Sequence, residues 1–305
     1  MRDIGILKIK SHEPALPLIQ GGMAVGISLD GLSAAVASAG GVGTIGTAGI
    51  GMTIEGYARN FKQASIEGLK NVIRKARSKT DGLLGVNIMV ALTNYQDMVV
   101  TALREKIDMI ISGAGLPLDL PSYLEEGSKT AIIPIVSSLK SAKVILKRWF
   151  GKFRYIPDAF IVEGPKAGGH LGYRIEDLQS QEFSLSSTIP QVRQLTEEIK
   201  REYGKDVPVI AAGGIFERED VQEMFELGAS GVQVGTAFIG TQECDADIRF
   251  KQALIEAKKE DIVIIKSPVG MPGRAIRNKF LIDVEAGNKK PFKCVYHCIK
   301  TCNFK

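Results

Sequence analysis

Apolar and polar positions along this chain fall into two alternating patterns. Short runs rich in Val, Ile, Ala and Gly recur eight times, at residues 16–20, 43–45, 84–88, 109–112, 132–136, 159–162, 207–211 and 231–234. Several are apolar without alternation, as in strands of a parallel sheet buried on both faces. Between them, apolar residues recur at helical spacing over residues 54–76, 95–104, 139–150, 192–203 and 220–227. Asp220 is placed to cap the last of these helices and Gly228 to end it.

Eight strand–helix alternations in about 240 residues are the arithmetic of a TIM (β/α)8 barrel. A doubly wound open sheet is the alternative, but the barrel uses every run without leftovers. The pattern predicts a barrel over residues 1–243 and a C-terminal extension over residues 244–305, with helices and a cysteine-containing tail or lid. Residues 173–188 read as a polar insertion after the sixth strand. A length of 305 residues is normal for one such barrel.

Composition narrows the class. The net charge of +5 is too weak to imply nucleic acid. No apolar run is long enough to cross a bilayer, and the N-terminus lacks a signal-peptide pattern, so a cytoplasmic protein without a membrane partner is expected. One basic cluster stands out: Lys140, Lys143, Lys147, Arg148, Lys152 and Arg154. It reads first as a solvated helix face and second as a surface for an acidic partner.

Candidate chemistry follows from the barrel. Catalytic groups of this fold lie at the C-terminal strand ends, where the glycines cluster: Gly21-Gly22-Met23, Gly46-Thr47-Ala48-Gly49, Ser112-Gly113-Ala114-Gly115, Gly213-Gly214 and Gly235. The sixth run breaks into Gly164-Pro165-Lys166-Ala167-Gly168-Gly169-His170. His170 is one of only three histidines, and beside a ligand it can move a proton near neutral pH. The plain alternative is a strand-ending turn with a surface histidine. The loops after strands seven and eight, with Gly213, Gly214, Val234, Gly235 and Thr236, suit the phosphate pocket typical of this fold. Met23 can cover a ring face, or be simply a core methionine. Asn87 can bond a polar ring edge. Together these features suggest a flat, phosphorylated cofactor. Neither a Ser–His–Asp order nor an HExxH zinc site is present.

Five segments in this order resemble the FMN-dependent nitronate monooxygenase family, whose superfamily also holds the flavin-dependent enoyl-acyl-carrier-protein reductases. They are Pro17–Met23, Gly85–Met89, Ala167–Gly172, Ala211–Ile215 and Gln233–Thr236. The resemblance implies a TIM barrel with non-covalent FMN. Gly22, Met23 and Asn87 would line the flavin. Gly213, Gly214, Gln233, Val234, Gly235 and Thr236 would surround its ribityl phosphate, with Gly169 at its rim and His170 as the catalytic histidine. It also implies a small nitronate and O2 as substrates. The reductase alternative implies NAD(P)H as reductant and acyl carrier protein as partner. A flavin-binding redox sensor without turnover is a third reading, and an oligomer is compatible with all three. Lys166 departs from the pattern, because many relatives carry an acidic residue there.

Cys294, Cys298 and Cys302 are four residues apart. On a helix they would share one drifting face. With His297 they form a candidate zinc or iron–sulfur site, although the spacing matches no common pattern. The plainer reading is tail thiols packed on the barrel or reactive in solution.

Overall fold

The apolar runs become the strands of a closed barrel in a computed structural model, which describes residues 6–267, 270–288 and 298–300. In chain order the strands are β1 (Leu18–Gln20), β2 (Gly43–Gly46), β3 (Leu84–Met89), β4 (Met109–Gly113), β5 (Ala131–Val136), β6 (Phe160–Glu163), β7 (Gly169–His170), β8 (Val209–Ala212), β9 (Gly231–Val234), β10 (Ile262–Lys266) and β11 (Pro272–Ile276). The helices are α1 (Asp30–Ser38), α2 (Phe61–Arg77), α3 (Tyr95–Arg104), α4 (Leu139–Phe153), α5 (Leu185–Tyr203), α6 (Arg218–Glu226), α7 (Thr236–Ile239), α8 (Ile248–Glu256) and α9 (Lys279–Glu285).

Eight strands pair in the order β1-β9-β8-β6-β5-β4-β3-β2, all parallel. A parallel bridge from Ile19 to Val42 joins the two ends and closes the barrel. The missing polar alternation now has its cause, since both strand faces are covered. Ile19, Val42, Ile111, Ile133, Ile161 and Ile210 fill the barrel interior, with Leu7 and Ile9 in the same cluster. Their neighbours Ile110, Ile132, Phe160, Val162 and Val209 point outward, into a core shared with Leu69, Met98, Trp149 and Ile189 of the surrounding helices.

Three element boundaries differ from the sequence expectation. The helix expected over 54–76 starts at Phe61. Two short 3-10 turns precede it, separated by Gly56 at φ 71°, and the Asn60 side chain caps it by accepting from the Gln63 N–H. α5 begins at Leu185 rather than 192, so the polar insertion is shorter than expected. Ser184 caps it, and Pro190 is accommodated within its early turns. Asp220 caps α6 as expected, but from the third helical position rather than the N-cap itself. It lies in the first turn of α6 and accepts backbone N–H groups of Phe216 and Glu217 at 2.8 and 2.9 Å. Gly228 follows the helix with φ 96°, as expected.

The stretch after β9 returns to the barrel mouth. β10 and β11 form an antiparallel hairpin, and β11 also pairs with β7. Residues 298–300 lie against the loop after β3: Ile299 bridges Leu92, and the Thr93 N–H donates to the Cys298 carbonyl at 3.1 Å.

The opposite end of the barrel carries a polar clasp. Asp158, 1% exposed, accepts from the Ile132 N–H at 2.9 Å and the Tyr155 hydroxyl at 2.5 Å, and pairs with Lys205 at 2.9 Å. Removing one partner of a buried pair typically costs about 3–5 kcal/mol. Asp158→Ala is therefore expected to lower unfolding free energy by about 3 kcal/mol, read from urea melts. A shift under about 0.5 kcal/mol would show that the clasp contributes little.

Candidate active site

Glycines at the C-terminal strand ends set the shape of the barrel mouth. A Cβ on Gly22 would lie 2.3 Å from Asn87 Cβ and 3.0 Å from Thr44 Cγ2. The first loop therefore packs directly on β2 and β3 only because residue 22 has no side chain. Met23 lies between Gly46 and Gly235: a Cβ on Gly46 would meet the Met23 carbonyl at 2.4 Å, and one on Gly235 would sit 3.7 Å from its Sδ. Met23 also packs on a small cluster of Leu32, Val36, Ile239 and Cys244. Both sequence readings, core residue and mouth residue, thus describe part of its position. Two residues further on, Val25 has φ 57°, a costly conformation for a β-branched side chain.

The loops after β6, β8 and β9 meet on the other side. Gly213 and Gly214 have φ of 95° and 85°. Gly213 nests under Ala167, and the aliphatic stem of Lys166 crosses Gly214, where a Cβ would approach Lys166 Cβ to 2.6 Å. A cavity of about 130 Å³ opens beside them, lined in part by Lys166, Ser184, Gly213, Gly214 and Asp220. Thr236 Oγ1 faces Gly168, 3.9 Å from where its Cβ would be. Val234 differs from its neighbours. Its side chain belongs to the outer core, and its carbonyl accepts the Gly21 N–H at 2.8 Å.

His170 sits on β7, paired with Gly273 of β11. Its Nε2 lies 2.9 Å from Ser267 Oγ. Burial holds its pKa below the ordinary histidine value, so the neutral imidazole predominates at pH 7. Arg274 fixes the preceding loop by donating to the Pro165 carbonyl at 2.9 Å and to the Ala167 carbonyl. The extension therefore positions the histidine, a link no sequence spacing reveals. Ser267→Ala is expected to lower kcat about tenfold, or 1.4 kcal/mol in the barrier, with folding stability changed by about 1 kcal/mol or less. Steady-state kinetics beside a thermal melt separate the two effects. An unchanged kcat would show that Ser267 does not orient the ring.

Sequence reasoning passed over two polar residues of the mouth, Thr44 and Glu163. Thr44 Oγ1 and Gln233 Oε1 are buried without a hydrogen-bond partner among the described residues. Each such group costs about 1–3 kcal/mol unless something satisfies it. They lie on β2 and β9, the strands flanking β1, whose following residues Gly21 and Gly22 carry no side chains. Polar atoms waiting around a glycine floor fit the polar edge of a bound planar cofactor. Gln233 was already a candidate from its motif, whereas Thr44 was hidden inside an apolar strand. The second overlooked residue is Glu163, at the inward-facing end of β6. Burial pushes its pKa up to about 7.

Cys298 is half-buried, while Cys294, His297 and Cys302 lie outside the described residues. Among the described residues, three or more His, Cys, Asp or Glu side chains nowhere gather as metal ligands. The basic cluster is partly neutralised. Arg148 and Lys152 pair with Asp119 at 2.8 and 3.2 Å, and Arg154 lies over the Phe150 ring. Lys140, Lys143 and Lys147 line the solvent face of α4 around Val144. No helix among the described residues is long and apolar enough to cross a membrane.

A closed (β/α)8 barrel whose glycine-rich strand ends meet around His170 places a candidate site at the C-terminal strand ends, where barrel enzymes carry their chemistry. Comparison with known proteins makes the assignment specific. The nitronate monooxygenase family matches residues 6–303, and the chain belongs to that family. Probable nitronate monooxygenases of two Staphylococcus aureus strains, Newman and USA300, are each 30% identical over 293 residues, covering 87% of this chain and 76% of theirs. FabK from Thermotoga maritima is 29% identical with a TM-score of 0.68, covering 90% of this chain and 75% of that one. Nitroalkane oxidase from Streptomyces ansochromogenes, 24% identical, shares the fold with a TM-score of 0.70 over 88% of this chain and 79% of that one. The protein is a flavin-dependent oxidoreductase of the nitronate monooxygenase type.

Proposed function

We propose that this enzyme binds FMN and oxidises alkyl nitronates with O2. FMN, when bound, supplies the one-electron chemistry between nitronate and oxygen. In this reading Gly22, Met23, Thr44 and Asn87 line the ring, with Gly169 at the rim. Gly213, Gly214, Gln233, Gly235 and Thr236, with the Val234 backbone, surround the ribityl phosphate. His170 binds and orients the substrate and moves a proton at Nε2 or Nδ1. The observation that carries the reading is the neutral His170, presented over the glycine-lined mouth and fixed by Ser267. The test is oxygen uptake by the FMN-loaded protein with propane-2-nitronate and no nicotinamide. Uptake proportional to enzyme supports it, and none contradicts it.

A second reading, an NAD(P)H-dependent enoyl-acyl-carrier-protein reductase, is favoured by the similarity to FabK and by the Lys140, Lys143 and Lys147 face, which suits an acidic carrier. NADH consumption dependent on an enoyl thioester would select it.

A further inference from the structure

Glu163 is the one residue of β6 whose character breaks its strand. Ala159 and Ile161 face the barrel interior, and Phe160 and Val162 face the helices. Period-two alternation turns Glu163 inward, opposite Ala212, which also lines the interior. A carboxyl group thus stands at the top of an apolar interior, in register through Ala212 with Gln233.

Few groups around it can compensate its charge. The flanking strands β5 and β8 carry no titratable side chain. α5 meets this strand end through Leu185, packed near Gly164. The Tyr173 hydroxyl donates to the backbone carbonyls of Glu163 and Ser137, not to the carboxylate. Arg274 is directed to the Pro165 and Ala167 carbonyls, and the Lys166 stem crosses Gly214. His170, on the same loop, bonds Ser267. Desolvation without a compensating cation raises the Glu163 pKa to about 7 and leaves His170 low. At neutral pH about half of the Glu163 carboxyl groups therefore hold a proton, whereas the His170 imidazole is mostly neutral.

We propose that Glu163 determines which charge form of substrate the barrel mouth accepts: as the neutral acid it admits an anion, and as the carboxylate it repels one. The inference rests on the reading that the substrate is a nitronate anion. It involves no covalent step. Binding of the anion is coupled to retention or uptake of one proton on the Glu163 carboxylate, which cancels the added charge. The sign follows from linkage. An anion favours the protonated carboxyl, so affinity is full below pH 7 and falls about tenfold per pH unit above it.

The FMN-loaded enzyme and its Glu163→Gln variant test this, because glutamine keeps the shape and is always neutral. For propane-2-nitronate, KM of the parent should rise about 50- to 100-fold between pH 7 and pH 9, with kcat changed far less. KM of the variant should stay within about threefold over that range. Calorimetric titration with nitrate, a planar anion that the enzyme does not turn over, gives an independent readout. In buffers of different ionisation enthalpy at pH 8, the parent should take up close to one proton on binding and Glu163→Gln none. Equal KM profiles for the two proteins would overturn the proposal, as would proton uptake retained in the variant, which would assign the effect to His170. Turnover of nitronate with a flat KM sinks this inference alone. Failure of nitronate to react with either protein at any pH sinks the nitronate reading along with it.

Discussion

His170→Ala is expected to lower turnover of nitronate by about 10²- to 10⁴-fold while leaving FMN bound and the fold intact. The imidazole is held on two sides, by the β7–β11 pairing of its backbone and by Ser267 at Nε2. Among the described residues its removal takes away the only histidine of the mouth but no core volume, since the residue is half-buried at the rim. Its ionisation also predicts a pH profile. Burial lowers the His170 pKa, so a step that needs the neutral ring persists through pH 7. It is lost only as pH falls through a value below the ordinary histidine value of about 6.5. Stopped-flow rates with the FMN-loaded variant, compared with its visible spectrum, check both points. A variant that retains more than a third of parent activity would remove His170 from the chemistry.

Gly22→Ala is expected to cause the largest loss of cofactor binding. The added methyl would fall 2.3 Å from Asn87 Cβ and 3.0 Å from Thr44 Cγ2, and both residues sit on strands of a closed barrel. Forcing extra volume into a packed site costs about 1–3 kcal/mol. Here the strain would displace Asn87 and Thr44, two of the polar groups proposed to face the cofactor. FMN affinity should fall by at least about 10- to 100-fold, the equivalent of about 1.4–2.8 kcal/mol. Fluorescence titration of the apoprotein with FMN measures this. Unaltered affinity would place the ring elsewhere than on the first and third strand ends.

Much of this was legible in the sequence, for reasons that particular residues make plain. The run Phe160-Ile161-Val162 has no polar alternation because Phe160 and Val162 meet helices and Ile161 meets the barrel interior. Two buried faces leave an unmistakable signal. The glycines of the mouth were equally readable, because close approach of loops leaves no alternative at Gly22, Gly213 or Gly214. Thr44 was not readable, since a threonine inside a strand is ordinary and only three-dimensional packing strands its hydroxyl. Glu163 was visible as a residue but not as a site, because its surroundings come from β5, β8 and a distant loop. The role of Ser267 depends on a contact spanning 97 positions, beyond the reach of any local pattern. α5 starts earlier than expected because the Ser184 side chain supplies its N-cap, and the helix then runs on through Pro190.

The central claim is that a flavin held in this mouth is reduced by a nitronate and not by a nicotinamide. An anaerobic absorption spectrum of the purified, FMN-loaded protein tests it most directly, recorded before and after propane-2-nitronate in one cuvette and NADH in another. The flavin band is expected to bleach with nitronate and to stay unchanged with NADH. Bleaching by NADH with indifference to nitronate would contradict it and assign the protein to the reductase branch.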